Sequence, residues 1–357
     1  MQKSTSYQQP LFFKQFGQFP GTRYQGSKAK LVDWIWRQIY ELDFKTCLDA
    51  FGGTGAVAYR LKQAGKQVTY NDLLRFNYYF GLALIENGDT RLSAEEIDWL
   101  LAPHSKIDYP DFIQGNFKDI YFTDAENFWL DQTITNIRQL KDPYKFALAF
   151  FALCQACIIK RPYNLFHRKN LYIRLAEVER SFGNKATWDR PFQEWFRVFA
   201  EEANRAVFDN GRKNRALNLN AVDMLGEYDL VYIDTPYISK RGVAVDYLDF
   251  YHFLEGLTMY DEWGSHIDRR SKHHRLKPKY SEWTDKRAIQ AAFGRLFKLF
   301  EKSIIVVSYR SDGIPSEHKL ISLLKQHKAD VRVEHFGQYK YVLSKNSESK
   351  EMLLIGV

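Results

Sequence analysis

The residues best suited to chemistry lie where an apolar run, Leu230, Val231, Tyr232 and Ile233, stops on Asp234 and is followed by Thr235, Pro236 and Tyr237. The carboxylate of Asp234 and the main-chain carbonyl of Thr235 are two hydrogen-bond acceptors on adjacent units. Pro236 fixes the backbone that aims the second of them, and Tyr237 supplies a flat face for stacking. Such a group can hold a planar amine. The exocyclic amino group of adenine has two N–H donors and a lone pair delocalised into its ring. Acceptors on both hydrogens favour the localised, pyramidal nitrogen and stabilise the positive charge that grows as it attacks an electrophilic carbon. Neither a metal nor a covalent intermediate is needed. The ring of Tyr237, rather than its hydroxyl, carries this expectation, so phenylalanine should serve there nearly as well.

A second constellation stands far upstream. Gly53, Gly55 and Ala58 have GxGxxA spacing, and Asp72 follows Gly55 by 17 residues at the end of the next expected strand. Small residues let backbone approach a ligand at a helix N-terminus, while the acid accepts from ribose hydroxyls. A dinucleotide and an adenosyl cofactor both fit, and a structural tight turn uses the same glycines. Further upstream, Tyr24, Gly26 and Lys28 stand in a turn entering the first helix, where a lysine can pair with a ligand carboxylate. S-adenosylmethionine has one; NAD has none at that place.

The elements that must position these groups follow from periodicity. Residues 44–51 read as a short strand running into a glycine turn and a helix closed by Gly65, and 66–72 as a second strand, together a βαβ unit. Strands are also expected at 228–233 and 303–308, with a terminal antiparallel pair at 331–336 and 352–357 and helices at 286–302 and 316–326. This is a Rossmann-like α/β arrangement, a doubly wound, mostly parallel sheet. Between Leu101 and about Arg215 the rhythm breaks into aromatic-rich helical segments. An inserted region at 101–215 between sheet-forming parts at 1–100 and 216–357 explains the break.

The composition agrees with a soluble nucleic-acid-binding protein. The chain has 357 residues, a formal charge of +8 and 16% aromatic residues, a balance that suits a polyanion with stackable bases. Residues 1–16 lack the apolar core of a signal peptide, and the apolar run 146–159 is too short to span a bilayer and reads as a buried helix. Cys154 and Cys157 within that run read as core residues, and with three cysteines in all the chain suits a reducing, cytoplasmic compartment. The adjacent His273 and His274 sit in a cationic stretch, 265–287, without acidic ligands at metal spacing. That stretch is the densest in cations; it reads equally well as a solvated loop or a phosphate-contacting one.

Taken in order, the motifs resemble those of the Dam-like, alpha-group N6-adenine DNA methyltransferases along nearly the whole chain. Tyr24-Gln25-Gly26-Ser27-Lys28 resembles their first cofactor motif, Asp49 to Gly55 (with Phe51, Gly52, Gly53 and Thr54) their FxGxG motif, Asn71-Asp72 their ribose motif, and Asp234 to Tyr237 their catalytic Asp-Pro-Pro-Tyr. The resemblance implies S-adenosyl-L-methionine as cofactor, double-stranded DNA as substrate and target recognition by the inserted region. It also implies a monomer or dimer, and a restriction-modification or phage setting in which a cognate endonuclease is a partner. Two departures stand out. Thr235 replaces the first proline, although the acceptor used is its carbonyl. Asn220 occupies the place of an aspartate that faces the cofactor adenine, with Asp223 a close competitor.

Adenine in a duplex must be rotated out of the stack at a cost of a few kcal/mol, and stacking on Tyr237 returns about 1 to 3 kcal/mol. Phosphate contacts must supply much of the rest. The expected DNA-facing residues are Lys160, Arg161, Arg168 and Lys169, with Asn164, His167 and Asn170 reaching base edges. Other readings are an RNA adenine methyltransferase, a non-catalytic nucleic-acid-binding subunit suggested by Thr235, and a NAD-dependent dehydrogenase. The last lacks any hydride-transfer acid/base pair near Asp234.

Overall fold

A computed structural model describes residues 17–177, 185–337 and 349–357. The N-terminal stretch read above for a signal peptide, residues 1–16, lies outside the described residues. Seven strands form one sheet: β1 (Thr46–Asp49), β2 (Gln67–Asn71), β3 (Arg215–Leu217), β4 (Leu230–Ile233), β5 (Ile304–Arg310), β6 (Val331–Phe336) and β7 (Glu351–Gly356). Their order is β3-β2-β1-β4-β5-β7-β6, parallel except that β7 runs antiparallel to both β5 and β6. Strand order reverses between β1 and β4, the switch point at which a doubly wound sheet opens a crevice beyond its carboxyl ends. The register pairs Asp49 with Tyr232. The loops after β1 and β4 therefore leave the sheet side by side, bringing the glycine turn and the Asp234 stretch together.

The central strands are buried on both faces, as near-continuous runs such as Leu230–Ile233 require. One face packs on Leu31, Ile35, Tyr59, Phe80 and the helix Pro143–Ile159, the other on Phe293, Leu296, Leu320 and Leu324. The expected strands and helices occur with ends shifted by a few residues, as in Ile289–Leu299 for 286–302 and Glu317–Leu324 for 316–326. Ser316 caps the latter by accepting from the Lys319 N–H. Among the described strands, only β3 escaped the sequence reading, because three residues at the sheet edge carry no readable period.

Between β2 and β3 the described residues are largely helical. The helix Asp124–Ile137 starts from a Thr123/Glu126 capping box, and Pro143–Ile159 from Asp142 with proline in its first turn. Cys154 and Cys157 are fully buried in the second helix. These helices share a core with the sheet: Phe80 meets Phe151 edge-on at 4.9 Å, and Tyr79 meets Phe146 at 4.9 Å. The break in sequence rhythm thus does not coincide with a separate core. Among the described residues, no helix is long and apolar enough to cross a membrane.

Candidate functional site

At the switch point lies a cavity of about 360 Å³. Tyr24, Gly26, Lys28, Asp49, Phe51, Gly52, Gly53, Thr54, Asp72, Asn220, Asp234 and Pro236 all line it. The backbone is bent to make this possible. Gly53 and Gly55 have φ of +53° and +78°, the left-handed region that costs glycine nothing. A Cβ on Gly52 would strike the Tyr70 ring at 2.0 Å. The Gly53 N–H donates to Asp72 Oδ2 at 2.8 Å and the Leu74 N–H to Asp72 Oδ1 at 2.8 Å, so the end of β2 holds the turn after β1. Burial raises the Asp72 carboxyl to about 6.

The upstream motif closes one side. The ring of Tyr24 stacks on Tyr251 at 4.5 Å and Tyr247 at 5.5 Å, and the Gln25 N–H donates to the Tyr251 hydroxyl. Gly26 has φ +81°, and a Cβ there would stand 2.2 Å from Tyr247 Oη. Ser27 Oγ and Thr54 Oγ1 are 3.2 Å apart, tying this turn to the glycine loop. Gln25, Gly55, Thr235 and Tyr237 are not among the lining residues; Gln25 acts through its backbone and Gly55 by shaping the turn. On the other side, the Asn71 amide donates to Leu219 O and Ala50 O and accepts from the Leu219 N–H, which sets Asn220 in the wall. Asp223 is exposed and lies outside the lining.

Asp234 is half-buried in the cavity wall and held by a group expected elsewhere from the sequence. The Lys28 ammonium lies 2.8 Å from both carboxylate oxygens of Asp234 and donates to the Tyr237 hydroxyl at 2.7 Å. Lys28 also lines the cavity wall. Its side chain is only 8% exposed, and a buried cation requires an anion, of which Asp234 is the nearest. Tyr237, expected as a stacking face, is held by its hydroxyl. Its hydroxyl donates to Glu351 Oε1 at 2.7 Å, while Glu351 also accepts from Ser308 Oγ at 2.6 Å and lies 3.7 Å from the Lys28 ammonium. Phenylalanine would break that chain, contrary to the expectation above. Burial pushes the Asp234 carboxyl up to about 6, with the Lys28 charge opposing and Glu351 reinforcing the rise.

Four contributors went unread. Glu351 is fully buried at the start of β7, where an acid opening the run Met352–Ile355 was the available signal. Glu255 lines the cavity and accepts from the Arg75 and Phe76 N–H groups, and burial raises it to about 7. Tyr247 and Trp283 also line it. Their sequence neighbourhoods carry no motif.

The expected DNA-facing stretch divides. Lys160 is 1% exposed, pairs with Glu126 at 2.9 Å and donates to Arg190 O. Arg161, 1% exposed, donates to the carbonyls of Tyr121, Leu165 and Arg168 and to the Asn170 side chain, which is itself buried. These three staple the loop rather than face DNA, which corrects the sequence reading. The interleaved rings had the inward half of the loop as their counterpart: the Arg161 guanidinium lies 4.3 Å from the Tyr121 ring centroid. Arg168 and Lys169 are exposed; Asn164 and His167 are half-buried.

The model of the D12 class of N6 adenine-specific DNA methyltransferases matches residues 24–282. The chain is 29% identical over 94% of its length to the type II methyltransferase M2.HphI of Haemophilus parahaemolyticus, covering 97% of that protein. It is 23% identical to the type II methyltransferase M.NlaIII of Neisseria lactamica, over 89% of this chain and 90% of that protein. It is 26% identical to the modification methylase StsI of Streptococcus sanguinis, covering 93% of this chain but 51% of that longer protein. A match from the Tyr24 motif to beyond the Asp234 stretch includes both halves of the cavity, and this chain belongs to the D12 class of N6 adenine-specific DNA methyltransferases.

Proposed function

We propose that the cavity holds S-adenosylmethionine along the glycine loop and presents an extruded adenine of duplex DNA to Asp234 and the Thr235 carbonyl. The observation that carries this reading is that the Asp234 carboxylate and the glycine turn line one cavity. The bound cofactor would supply an electrophilic methyl group. The donor set suits its other parts. Asp72 matches ribose hydroxyls, Asn220 the adenine amino group, and Gly53 leaves the wall open, since a Cβ there would meet nothing nearer than Tyr24 at 3.9 Å. Asp49 Oδ1 is buried with no hydrogen-bond partner among the described residues, a place that suits the cofactor's ammonium group. The exposed Arg168 and Lys169, with Asn164 and His167, belong to the inserted region 101–215, to which we assign target recognition. The type II names of the relatives favour a restriction-modification setting, with a cognate endonuclease as the partner activity.

The test is transfer of labelled methyl groups to a duplex pool containing all short sequences, with N6-methyladenine as the product read. Absence of label from duplex DNA, or label confined to a matched RNA, would overturn the reading.

Asp49 yields a prediction with a definite sign. Burial, with the neighbouring Asp234 charge, raises its carboxyl to about 8, so it is mostly protonated at pH 7. An ammonium group against Oδ1 favours the ionised form, so cofactor binding at pH 7 is expected to release up to about one proton. Calorimetry in buffers of differing ionisation enthalpy measures this. Asp49→Asn is expected to abolish the release and weaken binding; an undiminished release from the variant would place the ammonium elsewhere.

The Asp234 carboxyl gives a second. An acceptor with its pKa raised to about 6 is ionised above that pH and protonated below it. Single-turnover transfer is therefore expected to be level above pH 7 and to fall towards tenfold per unit below about 6. A level profile down to pH 5 would remove the ionised carboxylate from the reaction.

A further inference from the structure

The mouth of the reaction cavity runs between two loops that carry cations on firmly built turns. The first leaves the catalytic stretch directly. The Val245 N–H donates to Tyr237 O at 3.0 Å, the Ser239 N–H to Val243 O at 2.9 Å and the Gly242 N–H to Ser239 O at 2.7 Å, a tight hairpin that turns Lys240 and Arg241 to solvent. The second spans 279–287 and is pinned by Trp283. That residue is 3% exposed and meets Phe51 of the glycine loop edge-on at 4.9 Å and Phe293 at 5.6 Å. Its turns are closed by the Thr284 N–H on Ser281 O and the Arg287 N–H on Asp285 Oδ1, leaving Lys279, Lys286 and Arg287 exposed. The loops touch: a Cβ on Gly242 would stand 3.0 Å from Lys286 Cδ.

Between them is a shallow depression lined by Gly242, Lys279, Tyr280, Ser281, Thr284 and 285–287. Lys279, Tyr280, Ser281 and Thr284 also line the reaction cavity, so depression and cavity are continuous. Among the charged residues of the two loops, the cations Lys240, Arg241, Lys279, Lys286 and Arg287 face two acids. Asp285 already lies 3.6 Å from Arg287 and 3.5 Å from the Tyr280 hydroxyl, and Glu282 pairs with Arg295. Tyr280 is 76% exposed at this edge.

Resting on the function proposed above, we propose that this rim binds the backbone phosphates flanking the extruded adenine, with Tyr280 stacking on the neighbouring base of the same strand. A nucleotide in the cavity carries its own phosphates out through the mouth, where two fixed loops present cations at the required place. An exposed ring beside them offers a sequence-tolerant platform. Because Trp283 joins the 279–287 loop to Phe51, the strand is gripped by a part of the protein that also shapes the cofactor wall. The inserted region contributes less than its composition suggests, since Lys160 and Arg161 are turned inward.

The test is the salt dependence of duplex binding by Lys286→Ala/Arg287→Ala and by Lys240→Ala/Arg241→Ala. Each pair is expected to reduce the log–log slope by about 2, near 0.9 for each phosphate that is no longer neutralised, with S-adenosylmethionine affinity and melting temperature unchanged. With 2-aminopurine at the target position, Tyr280→Ala is expected to reduce the fluorescence rise on binding and Tyr280→Phe to preserve it. Wild-type slopes in both pairs would overturn the rim, as would a slope reduction confined to Arg168→Ala/Lys169→Ala run alongside. An unchanged fluorescence rise in Tyr280→Ala would overturn the stacking. N6-methyladenine formation by the unaltered protein on the matched duplex with adenine at the target position separates the two levels: without it the proposed function fails, and with it only the rim does.

Discussion

Asp234→Ala is expected to lower methyl transfer by about 10³-fold, while S-adenosylmethionine affinity changes by no more than a few fold. Deleting one preorganised group that stabilises developing charge in a water-poor site commonly costs about 10² to 10³ in turnover. Here the loss is compounded. The Lys28 ammonium, 2.8 Å from both oxygens of Asp234, would be left against the Tyr237 hydroxyl with Glu351 as its more distant anion. A cation left facing the place where the amino nitrogen turns positive opposes the reaction. Cofactor affinity is spared because the glycine loop is held by Asp72, Tyr70 and the Ser27–Thr54 contact, none of which passes through Asp234. Asp234→Asn keeps one acceptor oxygen and is expected to retain more activity than alanine. Single-turnover transfer with saturating cofactor measures both variants. Transfer by Asp234→Ala at the unaltered rate would mean that the acceptor pair is not what activates the amine.

The sheet was legible because its strands are of two strong types: buried runs such as Leu230–Ile233 and Ile304–Ser308, and turns punctuated by glycine. The cavity was legible at the strand ends for the same reason, since Asp49, Asp72 and Asp234 each stand at the carboxyl end of a strand. What could not be read is which way a long side chain turns. Lys28 and Lys160 are both lysines beside turns, but burial of each selects an internal anion, Asp234 in one case and Glu126 in the other. Arg161 has five donors and a loop of carbonyls to satisfy. Composition counts it as a cation for DNA, whereas the fold uses it to close 161–170. Glu351 is separated from Asp234 by more than a hundred residues and becomes its neighbour only because β7 inserts antiparallel beside β5.

Glu351 supports the other large expectation. The Lys28 ammonium now donates to the carboxylate that must accept the adenine amino hydrogens, so it has to give up part of that contact when the base arrives. Glu351, fully buried and 3.7 Å away, is the anion positioned to take the charge. Glu351→Gln removes that alternative and leaves the ammonium on Asp234. It is expected to lower turnover by roughly 10- to 100-fold, equivalent to about 1.5–3 kcal/mol for a hydrogen bond to a charged group. A purely structural loss would do the same, but the pH profile separates them. The negative charge of Glu351 helps raise the Asp234 carboxyl to about 6; without it the ionised form is favoured, so the acid limb of the profile should move below 6. Tyr237→Phe provides the companion result. Removing the hydroxyl that joins Lys28 to Glu351 should reduce turnover, yet leave the Glu351 charge in place and, by deleting the Tyr237 hydrogen bond to Asp234, keep the acid limb at or above 6. A Glu351→Gln protein with reduced turnover and an unmoved acid limb would show that Glu351 supports the strand rather than the charge balance at Asp234.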